Sequence, residues 1–158
     1  MKEVDELNAA ELNNAIEAEV FGALPLSDDE WDICKCMYVM LNGPHALQGM
    51  SKLIKRPLDE PDFSTGLKFW LAWPREYARP EFDASRMLVT RMRELGWLFD
   101  ICDYETSNNK VIKTAGFQKL GVRVEANADT DVLAIARAAL MAVRAWKKEH
   151  EKNMANTL

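Results

Sequence analysis

The stretch WLFDICDYETSNNKVIKTAGFQKLGVRVEA, residues 97–126, decides the fold. It opens by alternating Trp97, Phe99 and Ile101 against Leu98, Asp100 and Cys102, the period of a strand with one better-buried face. Ser107, Asn108 and Asn109 read as a turn. Two more strands follow near 110–114 and 117–125, with Gly121 as a bulge or a close backbone approach. Short strands joined by tight turns cannot run parallel, so the expectation is a three-stranded antiparallel meander.

The elements on either side read as helices. Residues 83–95 lead into the first strand, with Asp83 suited to cap the helix and Gly96 to stop it. After the last strand, NADTDVLAIARAALMAVRAW (127–146) places Asp129, Thr130 and Asp131 at the positive end of a closing helix. Val132, Ile135, Ala139, Val143 and Trp146 form its buried face, and the many alanines imply close packing. Residues 149–158 read as a charged, flexible tail.

Towards the N-terminus, Ala9, Leu12, Ile16 and Val20 recur on one face of a helix over 4–20, which Gly22 and Pro25 end. Ser27 with Glu30 three residues later is a capping-box pattern that opens a helix running to about 41, where Asn42, Gly43 and Pro44 stop it. Pro57, Pro61, Pro74 and Pro80 then punctuate a segment, 56–80, rich in aromatics; a short helix at 64–72 between irregular arms is expected there. The whole reads as one α+β domain over 1–148 carrying 56–80 as an insertion.

Composition narrows the function. Length and a 48% hydrophobic content suit one packed core. With 25 acidic against 20 basic residues, the net charge of −5 argues against general nucleic-acid binding and leaves a basic partner open. No apolar run approaches the roughly 18 residues that span a bilayer, and the start lacks the apolar centre of a signal peptide, so the chain reads as cytoplasmic with no membrane association. Cys34, Cys36 and Cys102 are an odd set and read as reduced thiols. Cys34 and Cys36 point about 200° apart on a helix, and only His45 and His150 could complete a ligand set, so no metal is expected.

Two arginine sets are candidates for binding. On the 83–95 helix, Leu88, Met92 and Leu95 fix the buried side, Arg86 and Arg93 fall together on a flank, and Arg91 lies near Glu94. Arg86 and Arg93 are either a solvated face or an anion clamp. In the insertion, Lys68, Trp70, Trp73, Arg75, Tyr77 and Arg79 interleave cations with rings, the composition of interface hot spots and base-stacking platforms. Trp70 and Trp73, three apart, share one face if the segment is helical. The competing reading is that these rings fill the core.

Catalysis has thin support. Cys34 or Cys36 with His45 lacks an orienting group, and Asp100 with Asp103, or Asp28 with Asp29, are simply an edge-strand charge and a helix start. No phosphate loop or dinucleotide fingerprint occurs. The expectation is a chain with no catalytic residue and no cofactor.

ELNNAIEAEVFG near the start, PEFDASRMLVTRMRELGW before the meander and ANADTDVLAIARAALMAV near the end resemble the phage ABA-sandwich domain, a group of small proteins of bacteriophages and prophages. Pro80, Phe82, Asp83 and Ser85 match its proline–aromatic turn, and Ala134, Ile135, Ala138, Ala139 and Leu140 its closing helix. The segment 24–79 is longer than in that family and holds a second stretch of the turn type, PDFSTGLKFW; the first is preferred because its helix leads straight into strands. The resemblance implies a small layered helix/antiparallel-sheet/helix sandwich and a phage origin, and it defines no catalytic residues. With the acidic charge, it implies a non-enzymatic protein that inhibits a host antiviral defence factor, as an anti-CRISPR does, acting in the host cytoplasm on a host protein or protein complex. The alternatives are a sponge for a small anionic nucleotide signal and a phage structural or assembly protein, and a homo-oligomer stays open.

Overall fold

The computed structural model describes residues 1–79 and 83–157, the side chain of Pro61 excepted. The chain is α+β, as expected, with four α-helices and two three-stranded antiparallel sheets among the described residues. It divides into two compact units, one of Met1–Val20 with Arg75–Leu158 and one of Phe21–Pro74.

In the larger unit, helix α1 (Ala9–Glu19) starts later than its apolar spacing suggests. The Asn8 carboxamide accepts from the Glu11 N–H at 2.9 Å and the Glu11 carboxylate accepts from the Asn8 N–H at 3.1 Å, a reciprocal cap that fixes the start. Val4–Glu6 is a separate single turn. Leu12 and Ile16 are buried. Helix α3 (Ala84–Glu94) buries Leu88 and Met92, and Gly96 ends it at φ +90°. Asp83 does not cap it: among the described residues its carboxylate makes no capping bond, and it lies 3.8 Å from Arg86 instead. Pro80 and Phe82 of the expected turn lie outside the described residues.

The meander is strands β4 (Leu98–Glu105), β5 (Val111–Lys119) and β6 (Val122–Ala128), in that order. Its register aligns Phe99 with Phe117 and Val124, and Ile101 with Ala115 and Ala126. Ala115, Phe117 and Ala126 are buried where helix α4 (Asp131–Thr157) packs on β5 and β6. Where a break at Ala115 and Gly116 was expected, β5 runs through, and the chain turns at Leu120 and Gly121 with positive φ at both. A Cβ on Gly116 would lie 2.8 Å from Asp100 Oδ1, so this glycine makes room for the Asp100–Arg123 ion pair above the strand.

Helix α4 buries Ile135 and Ala139 as expected, along with Ala134, Ala136, Ala138, Leu140 and Ala142, while Val132, Val143 and Trp146 are half-buried. Side chains this small let the helix approach its neighbours on several sides. The helix continues through the stretch expected as a tail, with residues 147–157 exposed.

The smaller unit holds β1 (Leu24–Pro25), α2 (Asp28–Asn42), β2 (Ile54–Asp62) and β3 (Leu67–Ala72), with β2 central. The cap of α2 is as expected: Ser27 Oγ accepts from the Glu30 N–H at 3.2 Å and Glu30 accepts from the Ser27 N–H at 3.2 Å. The helix expected at 64–72 is instead the second strand of a hairpin. Asp62 sets the turn by accepting from both the N–H and the hydroxyl of Ser64, and Gly66 takes φ +73°. Two prolines sit in central β2 because β1 pairs only with Ile54 and Lys55, leaving the rest of that side without a ladder to break.

Candidate functional site

Among the described residues of the smaller unit, only Ala23, Leu26 and Ile54 are buried. Many of its larger apolar side chains are instead at the surface, Leu67, Trp70 and Leu71 on β3 being about half exposed and Phe63 in the turn 92% exposed. Helix α2 buries no residue at all, yet it carries Ile33, Met37, Met40 and Leu41 outward. That stripe lies at helical spacing and was legible in the sequence.

The six residues singled out in the insertion divide between the units. Lys68 and Trp70 are exposed on β3, where the Arg56 guanidinium sits 5.9 Å from the Trp70 ring centroid, directly across the ladder. Trp73 is half-buried and meets Trp31 and Tyr38 of α2 edge-on, at 6.3 Å and 5.8 Å. With β3 extended, Trp70 and Trp73 do not share a helix face, and Trp73 serves to hold α2 within its unit.

Arg75, Tyr77 and Arg79 belong to the larger unit. Tyr77 has no exposure, so its ring is not available to a partner. Its hydroxyl donates to Glu17 Oε1 at 2.5 Å and its N–H to Asn13 Oδ1 at 2.8 Å. Arg75 reaches the same carboxylate through its N–H at 3.4 Å and its guanidinium at 3.6 Å. Burial, and then the neighbouring Glu17 carboxylate, push the Tyr77 phenol well above its ordinary range. Arg79 is exposed and lies 3.6 Å from Glu76. Nothing in the spacing marked this cluster, since Tyr77 lies 64 residues from Asn13 and 60 from Glu17.

Arg86 and Arg93 are both exposed on α3, Arg86 near Asp83. Arg91 instead turns to the chain itself, donating to the Val20 carbonyl at 3.2 Å and lying 3.5 Å from Glu94. A cavity of about 430 Å³ in the larger unit is lined by Leu95, Trp97, Lys119, Val143, Trp146 and Lys147, with Ala18 and Glu19. Lys119 and His150 both lie against the Trp146 ring and Trp97 is only 3% exposed, so little aromatic face is open for a base to stack on.

The Lys55 ammonium, and then the Ser27 N–H and hydroxyl, hold Glu30 below the usual carboxylate range. Among the described residues no helix is long and apolar enough to cross a membrane. Compared with known proteins, the chain matches no family model, no curated protein and no solved structure.

Proposed function

We propose that the chain is a non-enzymatic binding protein that docks another protein on the apolar surface of Phe21–Pro74. The observation that carries this is the distribution of exposure: ten of the eighteen exposed large apolar side chains among the described residues fall in this smaller unit. Scattered apolar residues are normal on a surface, whereas such a concentration beside so few buried residues is what interaction faces look like. Trp70, with a guanidinium at its ring, is of the type that anchors interfaces. Of the residues singled out by sequence, Lys68 and Trp70 stay in the proposed contact set. The net charge of −5 favours a partner with a basic surface.

The resemblance to phage ABA-sandwich proteins makes a bacterial antiviral-defence complex the first partner to test. The experiment is a pull-down from bacterial lysate at mild salt, comparing the full chain with a Trp70→Ser, Leu71→Ser variant. A host protein that is retained by the wild type and lost with the variant is the expected result. Recovery of no host protein by the wild type, or equal recovery by both, would count against the reading.

A further inference from the structure

Helix α2 is apolar on two sides. One side is satisfied, because Trp31 and Tyr38 pack edge-on against Trp73. The other carries Ile33, Met37, Met40 and Leu41, 63%, 60%, 84% and 80% exposed, at positions i, i+4, i+7 and i+8. A helix usually owes its stability to burying such a face rather than to propensity. Here the capping box and three acidic residues in the first turn hold the helix while the face stays bare.

Charge says what would cover it. Helix α2 has four acidic residues and one base, Lys35. Asp28, Glu30 and Asp32 pair with Lys52, Lys55 and Lys35. Asp29, one turn before Ile33 on the same side, makes no ion pair among the described residues. A second copy of the helix offers Asp29 no cation, since its one base is engaged with Asp32.

We propose that this face seats an amphipathic helix of a partner protein, one apolar along one side with Lys or Arg at the end that meets Asp29. The helical spacing of the four side chains presents ridges that a second helix can fit, and two unbranched methionines let the seat adapt to different apolar surfaces. This assignment rests on the binding role proposed for the smaller unit and adds the chemistry of the partner.

The test uses the full chain and two synthetic amphipathic peptides of about 15–18 residues, long enough to form a helix on contact, one built of Leu and Lys and the other of Leu and Glu in the same pattern. Titration calorimetry at physiological salt should show saturable one-to-one binding of the Leu/Lys peptide alone. Ile33→Ser with Met40→Ser should weaken it by about tenfold or more, and Asp29→Lys by several-fold, with circular dichroism unchanged because these side chains are exposed. Equal binding of the Leu/Lys peptide to the serine variant would show attraction to net charge alone and overturn the proposal. So would equal binding of both peptides, no binding of either, or sedimentation showing that the chain dimerises through this face. A lysate partner that is lost with the Trp70 variant but kept by the Ile33, Met40 variant would overturn the α2 seat while leaving the broader binding role standing.

Discussion

The Tyr77 hydroxyl donates to Glu17 Oε1 at 2.5 Å across 60 residues of sequence, and neither side chain reaches solvent. A buried carboxylate is tolerable only when its lone pairs are met, and here the phenol, the Arg75 N–H and the Arg75 guanidinium meet them. Tyr77→Phe removes one donor and should cost about 1–3 kcal/mol at neutral pH by denaturant unfolding.

The same pair gives a pH dependence. Since folding raises the phenol's pKa, the folded state holds that proton more tightly than the unfolded one. The associated stability is therefore complete below the ordinary tyrosine value of about 10 and is lost as pH rises above it. Wild type should lose stability faster than Tyr77→Phe above about pH 10, so that the gap between them narrows. Parallel curves from pH 7 upward would show that Tyr77 does not carry the effect.

Trp70 and Trp73 should behave oppositely under truncation. Trp73 packs between Trp31 and Tyr38 and is only half-buried, so Trp73→Ala should cost about 1–3 kcal/mol of stability, below the full cavity cost of a core tryptophan. Trp70, 53% exposed on β3, should change the melting temperature little when replaced by Ala and should weaken partner binding by about 2 kcal/mol or more. Thermal melts of both variants beside one binding measurement decide the matter, and a large stability loss for Trp70→Ala would place it in the core.

How far the sequence could be read follows from the range of the interactions. The cap at Ser27 and the alanine face of α4 depend on neighbours a few residues apart, and both are seen; the strand after Trp97 is seen too, but of its expected buried face Trp97 is buried, Phe99 half-buried and Ile101 exposed. The strand at Leu67–Ala72 was missed because four prolines suggested a broken segment. Whether a proline breaks a strand depends on the neighbouring strand, and β1 is two residues long. The boundary expected between 114 and 117 is absent for a related reason, the role of Gly116 being set by Asp100 and Arg123 on the adjacent strands. Of the proposed contact residues, Lys68 and Trp70 were legible from composition. For Tyr77 composition left interface and core both open, and the contacts that bury it come from Asn13 and Glu17 on α1.

Ala139 has no exposure on α4, within a run where Ala134, Ala136, Ala138 and Ala142 are also buried. Ala139→Phe would force a ring into a space sized for a methyl group and should cost about 1–3 kcal/mol. Ala155, exposed near the end of the same helix, is the control, and Ala155→Phe should stay within about 0.5 kcal/mol of wild type. Similar melting temperatures for the two variants would contradict the close packing of α4.

Lys119 joins three elements at the end of β5. Its ammonium donates to the Leu95 carbonyl at 2.6 Å, lies 4.3 Å from the Trp146 ring centroid and 6.0 Å from that of Trp97. The C-terminal end of α3 is partially negative, so a cation there is favoured twice, by the orphan carbonyl and by the indole faces. Lys119→Met keeps the aliphatic stem and removes only the charge. The loss should be about 1–2 kcal/mol of stability, together with a change in tryptophan fluorescence as the ammonium leaves the Trp146 ring. Because the contact is short and partly buried, added salt should leave most of the difference in place, unlike that of a surface ion pair. A Lys119→Met chain that melts with the wild type and shows the same fluorescence would mean that the ammonium holds neither the end of α3 nor the Trp146 ring.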